Sequence, residues 1–118
     1  MTTSDKDRMG DTMSLEENEY YTLAFQIISN VGTAKSLVIE ALYEAKEGKF
    51  ESAEEKLNES KHFFVEGHKM HASLIQREAS GEKLEFSLML MHAEDQIMSV
   101  DTITLLVTEM IELYRRSL

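Results

Sequence analysis

Three long helices folded up, down and up in an all-α bundle are the architecture this sequence predicts. Two observations carry the prediction. Apolar residues recur at steps of three and four along three segments of about 30 residues each, the mark of helices with a buried stripe. The 118 residues include no proline and five glycines, and two of those glycines, Gly48 and Gly81, fall between periodic segments, where helices commonly stop. Neither strand-like alternation nor an internal repeat interrupts this pattern.

Residues 1–14 are polar and poor in large aliphatics, which predicts a flexible tail ahead of a helical domain over 15–118. Ser14 followed by Glu17 offers a capping box and a helix start near Leu15. The first segment then runs from about Glu16 to Lys46, with Tyr21, Ala24, Ile28, Val31, Lys35, Val38, Leu42 and Ala45 as its stripe. Gly32 in its middle costs about 1 kcal/mol relative to alanine. It marks either a local kink or the close approach of another helix or subunit.

The second segment, from about Phe50 to Ala79, carries Phe50, Ala53, Leu57, Ser60, Phe64, Gly67, His71 and Leu74 near a 3.5-residue period. Its opposite face, with Glu54, Glu55, Lys56, Lys61 and Lys69, reads as solvated. The third, from about Glu85 to Arg116, has two apolar stripes. One is Phe86, Leu90, Ala93, Ile97, Val100, Thr104, Val107, Ile111 and Tyr114; the other is Met89, Gln96, Ile103 and Met110, flanked by Leu106 and Leu113. A helix apolar over so much of its circumference is buried on more than one side. Two other helices of one chain cannot cover it, so the sequence points to association between chains. Arg115 and Arg116 suit the negative end of the third helix's dipole.

Composition narrows the function. The net charge is −10, from 22 acidic against 12 basic residues. Nucleic acid is an unfavourable partner for such a chain, because phosphate contacts need clustered Lys and Arg. With no cysteine, disulfides and thiolate metal sites are excluded. No uninterrupted apolar run approaches the ~20 residues of a membrane span, and no secretory signal is visible at the start, so the expectation is a cytoplasmic protein without membrane insertion.

His92 and Asp95 stand three apart in the strongly apolar run Phe86–Met98, so a helix brings them to one face. His68 and His71, also three apart, repeat that spacing on the second segment. Packing at the core edge, a role lining a site, and a weaker His-x-x-His metal pair all fit them. The methionines at 89, 91, 98 and 110 read mainly as core filling, with Leu88 and Met91 as an alternative apolar collar for transient docking.

The run Ser80-Gly-Glu-Lys-Leu-Glu-Phe86-Ser-Leu-Met-Leu-Met-His92-Ala-Glu-Asp95-Gln-Ile-Met98 resembles the active-site segment, roughly S-x-x-x-x-H-[AG]-Q-D-H-L-M, of the lactose/cellobiose-type enzyme IIA of the bacterial sugar phosphotransferase system. Asn30-Val-Gly32-Thr-Ala34-Lys-Ser36 resembles that family's N-x-G-x-A-R-S. Glu40-Ala-Leu-Tyr-Glu-Ala45-Lys-Glu-Gly48-Lys-Phe50 resembles its E-A-L-x-x-A-x-x-G-x-F. These segments keep the family's order and spacing over roughly residues 17–116.

The resemblance implies a phosphocarrier, a phosphotransferase component that is not a stand-alone catalyst. It would accept a phosphoryl group on His92 from the histidine-containing phosphocarrier protein. It would then pass the group to a cysteine of enzyme IIB, for uptake of a β-linked disaccharide of the cellobiose, chitobiose or lactose type. The resemblance also implies a nine-helix homotrimer with the third helices round its axis, where Asp95 and its copies hold one divalent cation, Mg²⁺, per trimer. His68 matches a histidine of the family's H-x-x-Q-T. Three positions depart from the pattern: His71 and Glu94 stand where the family has glutamine, and Gln96 where it has histidine. A carboxylate at 94 would repel a phosphoryl dianion if it pointed inward. These departures motivate a rival reading, a paralogue acting as a regulatory or protein-binding module with weak phosphotransfer or none.

Overall fold

The computed structural model describes residues 3–83 and 87–117, with side chains described from Glu19 onward. The elements are α1 (Thr3–Lys46), α2 (Phe50–Ala79) and α3 (Leu88–Ser117), and no strand occurs among the described residues. The predicted capping box at Ser14 and Glu17, and Glu85 and Phe86 of the third segment, lie outside the described side chains. The helical backbone of α1 extends back to Thr3, through the stretch expected to be a tail. Its sequence there lacks proline, so nothing steric stops the helix, and its polar composition gives it no core to bury.

Both turns use one device. Gly48 has φ 80° and Gly81 φ 101°, a left-handed conformation open to glycine at no steric cost. After α1, the Gly48 amide donates to the Ala45 carbonyl at 3.0 Å and the Lys49 amide to that of Glu44 at 2.9 Å. After α2, the Gly81 amide donates to Glu78 and the Glu82 amide to Arg77, both at 3.1 Å. These paired bonds are Schellman closures, which satisfy carbonyls that a helix end leaves open. At the start of α3, the Ser87 hydroxyl accepts from the Leu90 amide at 3.0 Å, the bond of an N-cap.

The buried stripe of α1 is Tyr20, Ala24, Ile27, Val31, Ala34, Val38, Ala41 and Ala45. Half of the predicted stripe is therefore shifted by one position. Tyr21 is exposed, and Ile28, Lys35 and Leu42 lie at the edge of the core. The reason is packing geometry: α1 is gripped by both other helices, and small residues at 34 and 41 let them approach closely. On α2 the predicted face is the buried one, with Ala53, Ser60, Gly67 and Leu74 falling at seven-residue intervals, the spacing of a coiled-coil seam. Ser60 is the buried polar residue of this core, and its hydroxyl donates to the Ala34 carbonyl at 2.8 Å. At Gly67 a Cβ would lie 2.7 Å from Val31 Cγ2, so the seam has no room for a methyl group. A Cβ at Gly32 would meet nothing within 4 Å, so within one chain that glycine serves no close approach.

The α3 stripe behaves as predicted. Ala93, Ile97, Val100, Val107 and Ile111 are buried against α1, in one core cluster at the α3 N-terminal end and another at its C-terminal end. Burying each such Val or Ile is worth about 1.5–3 kcal/mol. α2 and α3 both pack on α1 and touch each other little. Two arginines tie the ends. Arg115 of α3 reaches Glu54 of α2 at 2.8 Å and lies over the Phe50 ring. Arg77 of α2 binds Glu19 of α1 at 2.8 Å and Glu82 of the following turn at 2.7 Å, while the Tyr20 hydroxyl donates to Glu82 at 2.9 Å. By length and composition the stretch Glu19–Lys46 could cross a bilayer, although no uninterrupted apolar run of that length exists. Here its apolar residues form the stripe on which the other two helices pack.

Two outcomes follow from this packing. Gly67→Ala should lower the urea midpoint, since overpacking against the stiff Val31 costs about 1–3 kcal/mol and exceeds the gain in helix propensity of about 1 kcal/mol. Gly32→Ala, measured beside it, should raise the midpoint. The second outcome concerns acid. Hydrogen bonding from Arg77, then from Tyr20, holds the Glu82 carboxyl down to about 2 from its ordinary 4.5. A depressed carboxylate contributes stability above its unfolded pKa and loses it as pH falls toward the folded one. Glu82→Gln should therefore melt earlier than the parent at pH 7, with the gap in melting temperature closing between about pH 4.5 and about 2.

Candidate functional site

His92 lies just over one turn into α3, and its side chain is exposed. Its neighbours in sequence explain why it stays at the surface. Ala93 directs the helix into the core, and the Ser87 cap fixes where the helix begins, so position 92 is turned away from α1. The positive pole of α3 acts mainly on its first turn, and His92 lies just beyond it.

Asp95 is also exposed, and it sits in the middle of an apolar face. Along the side of α3 opposite the core run Leu88 (77% exposed), Met91 (45%), Met98 (66%), Leu106 (55%) and Leu113 (62%), with Leu105 (65%) and Met110 (42%) at the margins. The expected second stripe runs through Leu106, Met110 and Leu113, but the expectation that the methionines mainly fill the core fails at Met91, Met98 and Met110, which are exposed, as is Leu105, outside both expected stripes. Their signal was available, because the core stripe leaves them on the far side of the helix. So long a line of apolar side chains exceeds the scattered exposure normal for a soluble surface.

The second-helix histidines are separated in role. The His71 ring, largely covered, faces Glu94 of α3, with Nε2 and Oε1 3.1 Å apart. His68 is exposed and leans on the Phe64 ring, their centroids 6.2 Å apart. Two of the three positions that depart from the resembled pattern are thus joined to each other. The Glu94 carboxylate points to α2, while His92 lies on the other flank of α3, since residues two apart on a helix are about 200° apart around its axis. Gln96 is half-buried. No group of three His, Asp or Glu side chains able to hold a metal occurs among the described residues of one chain. Glu94 gives His71 the carboxylate neighbour that the sequence did not reveal, but no third ligand joins them.

Comparison with known proteins agrees with the geometry. The family pattern described as "PTS system, Lactose/Cellobiose specific IIA subunit" matches residues 22–115. The oligo-beta-mannoside-specific EIIA component of Bacillus subtilis is 39% identical over 93 residues, covering 79% of this chain and 84% of its own. The crystal structure of the cellobiose-specific enzyme IIA from Bacillus anthracis superposes with a TM-score of 0.79 at 42% identity, over 80% of this chain and 87% of that one. IIA(Chitobiose) of the Escherichia coli phosphotransferase system, solved in complex with HPr, superposes with a TM-score of 0.70 at 32% identity, over 81% and 93%.

Proposed function

Because the chain belongs to the lactose/cellobiose-specific IIA family of the sugar phosphotransferase system, we propose that His92 is the nitrogen on which it carries its phosphoryl group. The protein is a phosphocarrier between HPr, the histidine-containing phosphocarrier protein, and enzyme IIB. The observation that supports His92 is its place: an exposed imidazole on the flank of α3, within reach of two successive protein partners. A lone pair on the His92 ring attacks the phosphorus of the donor phosphohistidine. A new N–P bond forms as the donor's N–P bond breaks, and the electron pair returns to the donor nitrogen. In the second transfer a cysteine thiolate of enzyme IIB takes the group as an S–P bond, and His92 recovers its lone pair. The transfers need no nucleotide and no acid–base pair, only an uncharged imidazole with an open approach.

The sugar is a β-linked disaccharide or its close kin, by the chemistry named in the relatives, and it is handled by the membrane component, with this protein working in the cytoplasm. The open apolar face of α3 is covered by two further copies of the chain, giving a homotrimer with α3 round the axis. That arrangement accounts for Asp95. A heterologous apolar partner would bury the carboxylate unpaired, at a cost of several kcal/mol. Three Asp95 copies converging on the axis repel one another, and a hard cation such as Mg²⁺, one per trimer, offsets the repulsion through oxygen ligands and water. Among the described residues one chain gathers no group of three such ligands, so the site would form only in the assembly.

Incubation with enzyme I, phosphoenolpyruvate and HPr should place one acid-labile, base-stable label on each chain. His92→Ala and His92→Gln should abolish it while the helical circular dichroism persists, since the residue is exposed. His68→Ala should keep it. Label on another histidine would refute the assignment. Chelation should lower the melting temperature of the parent protein, because a metal bound only by the folded assembly stabilises it. Asp95→Leu should be insensitive to chelator and still sediment as a trimer, since apolar groups can replace buried charges without net cost.

A further inference from the structure

We infer that Arg77 is a positioning residue for phosphoryl transfer: with Glu82, Glu19 and Tyr20 it clamps the connector between α2 and α3, and so fixes how the first turns of α3 present His92. This role rests on His92 being the acceptor, as proposed above. His92 is exposed, so its aim is set by the backbone of the turns that carry it. Aim matters in group transfer, since misplacing a reacting atom by about 1 Å can cost ~10²-fold in rate. The start of α3 has few anchors. α2 and α3 touch each other little. The Ser87 hydroxyl caps the helix, and Leu90 and Ala93 seat it on the core cluster that includes Tyr20. The connector supplies a further tie. Gly81 turns the chain, and the Glu82 amide donates to the Arg77 carbonyl at 3.1 Å, which brings Glu82 back against Arg77. Arg77 Nε then donates to Glu82 Oε2 at 2.9 Å and Nη2 to Oε1 at 2.7 Å, while Nη1 donates to Glu19 Oε1 at 2.8 Å. The guanidinium lies over the Tyr20 ring, 5.2 Å from its centroid, and the Tyr20 hydroxyl donates to Glu82 Oε1 at 2.9 Å.

One guanidinium thus joins three parts of the chain: α1 through Glu19 and Tyr20, the end of α2 through its own backbone, and the connector through Glu82. A lone exposed ion pair would hold little, because solvent screens it. A two-pronged fork on one carboxylate, tied to further partners, is the exception. The fork stays charged at neutral pH, since the hydrogen bonds from Arg77 and then Tyr20 hold the Glu82 carboxyl down to about 2. Ser87 follows Glu82 by five positions, at most ~18 Å of extended chain, so an anchored Glu82 confines where α3 can begin. Tyr20 gives a second route to the same place. It is buried in the cluster that holds Ala93, the residue after His92. A tie of the same chemistry, Arg115 with Glu54 and the Phe50 ring, serves the other end of α3. At 1.5 Å per residue it lies ~35 Å along the helix from His92, so it braces the bundle without touching the acceptor turn.

The test compares the two ties in the full chain, through the initial rate of His92 labelling over a range of phosphorylated HPr concentrations. Arg77→Ala and Glu82→Ala should each lower the maximal rate about fivefold, because an acceptor aligned for only part of the time is slowed by that fraction. The HPr concentration giving half the maximal rate should stay nearly unchanged, since docking precedes alignment of the nitrogen. The double variant should be no slower than either single one, as expected of groups that act as a unit. Arg77→Lys keeps the charge but loses the fork, and should recover part of the rate. Arg115→Ala should keep the parent rate, although it also loses an ion pair and a ring contact. Amide exchange at Met91 and His92 should quicken in Arg77→Ala and not in Arg115→Ala. Circular dichroism at the assay temperature verifies that each variant is folded. Equal rates for Arg77→Ala and the parent, or equal slowing by Arg77→Ala and Arg115→Ala, would overturn the positioning role and leave His92 as the acceptor. A change confined to the half-saturating HPr concentration would place the clamp in the docking surface and overturn the role as well. A parent protein that takes no label from an active donor would overturn the acceptor reading and this inference with it.

Discussion

The close contact between α1 and α2 is the constraint on which the rest of the molecule depends. Ala53, Ser60 and Gly67 come at seven-residue intervals on α2 and meet a heptad stripe on α1, and at Gly67 not even a methyl group would fit against Val31. Interiors packed at this density do not deform gradually. The two helices therefore form a fixed plate, and the Ser60 hydroxyl bonded to the Ala34 carbonyl locks its register. The third helix is laid on α1 with its Ala93, Ile97, Val100, Val107 and Ile111 stripe. Once that stripe is buried, the opposite side of α3 has no partner among the described residues. The functional surface is what the core leaves over.

This division explains how one helix serves both structure and chemistry. A residue on the core face of α3 is bound by packing, whereas His92 and Asp95 are exposed and make no demand on the core of the chain. A carrier has to meet partners on both sides of its reaction and release each of them. An imidazole exposed on the flank of a helix suits short-lived contact better than a deep cleft would.

Much of this was legible in the sequence. Three helices, their turns at Gly48 and Gly81, the seam on α2 and the core stripe of α3 all follow from spacing, because large apolar residues mark them. The α1 stripe was half misplaced for the complementary reason. Ala34 and Ala41 are buried to let helices approach, and small residues give a weak hydrophobic signal, so Lys35 and Leu42 were read in their stead. The Ser87 cap was missed although serine ahead of an apolar run is its usual sign. For the site, His92 and Asp95 could be picked out by motif and shared face. The bond between His71 and Glu94 could not, since nothing local relates residues on different helices. Two departures from a pattern, each puzzling alone, make sense once they are seen to be partners.

The hub position of α1 also sets an order of unfolding. Because α2 and α3 each lean on α1 and touch one another little, releasing α3 breaks one helix interface and leaves the α1–α2 seam whole. Cooperative sub-units of this kind open independently, and their backbone amides exchange with solvent at different rates. In an isolated chain α3 is the element to detach first, carrying His92 and Asp95 with it. In the trimer proposed above that ranking would reverse, since the outer face of the same helix would then be buried, and formation of the site would be tied to association of the chains.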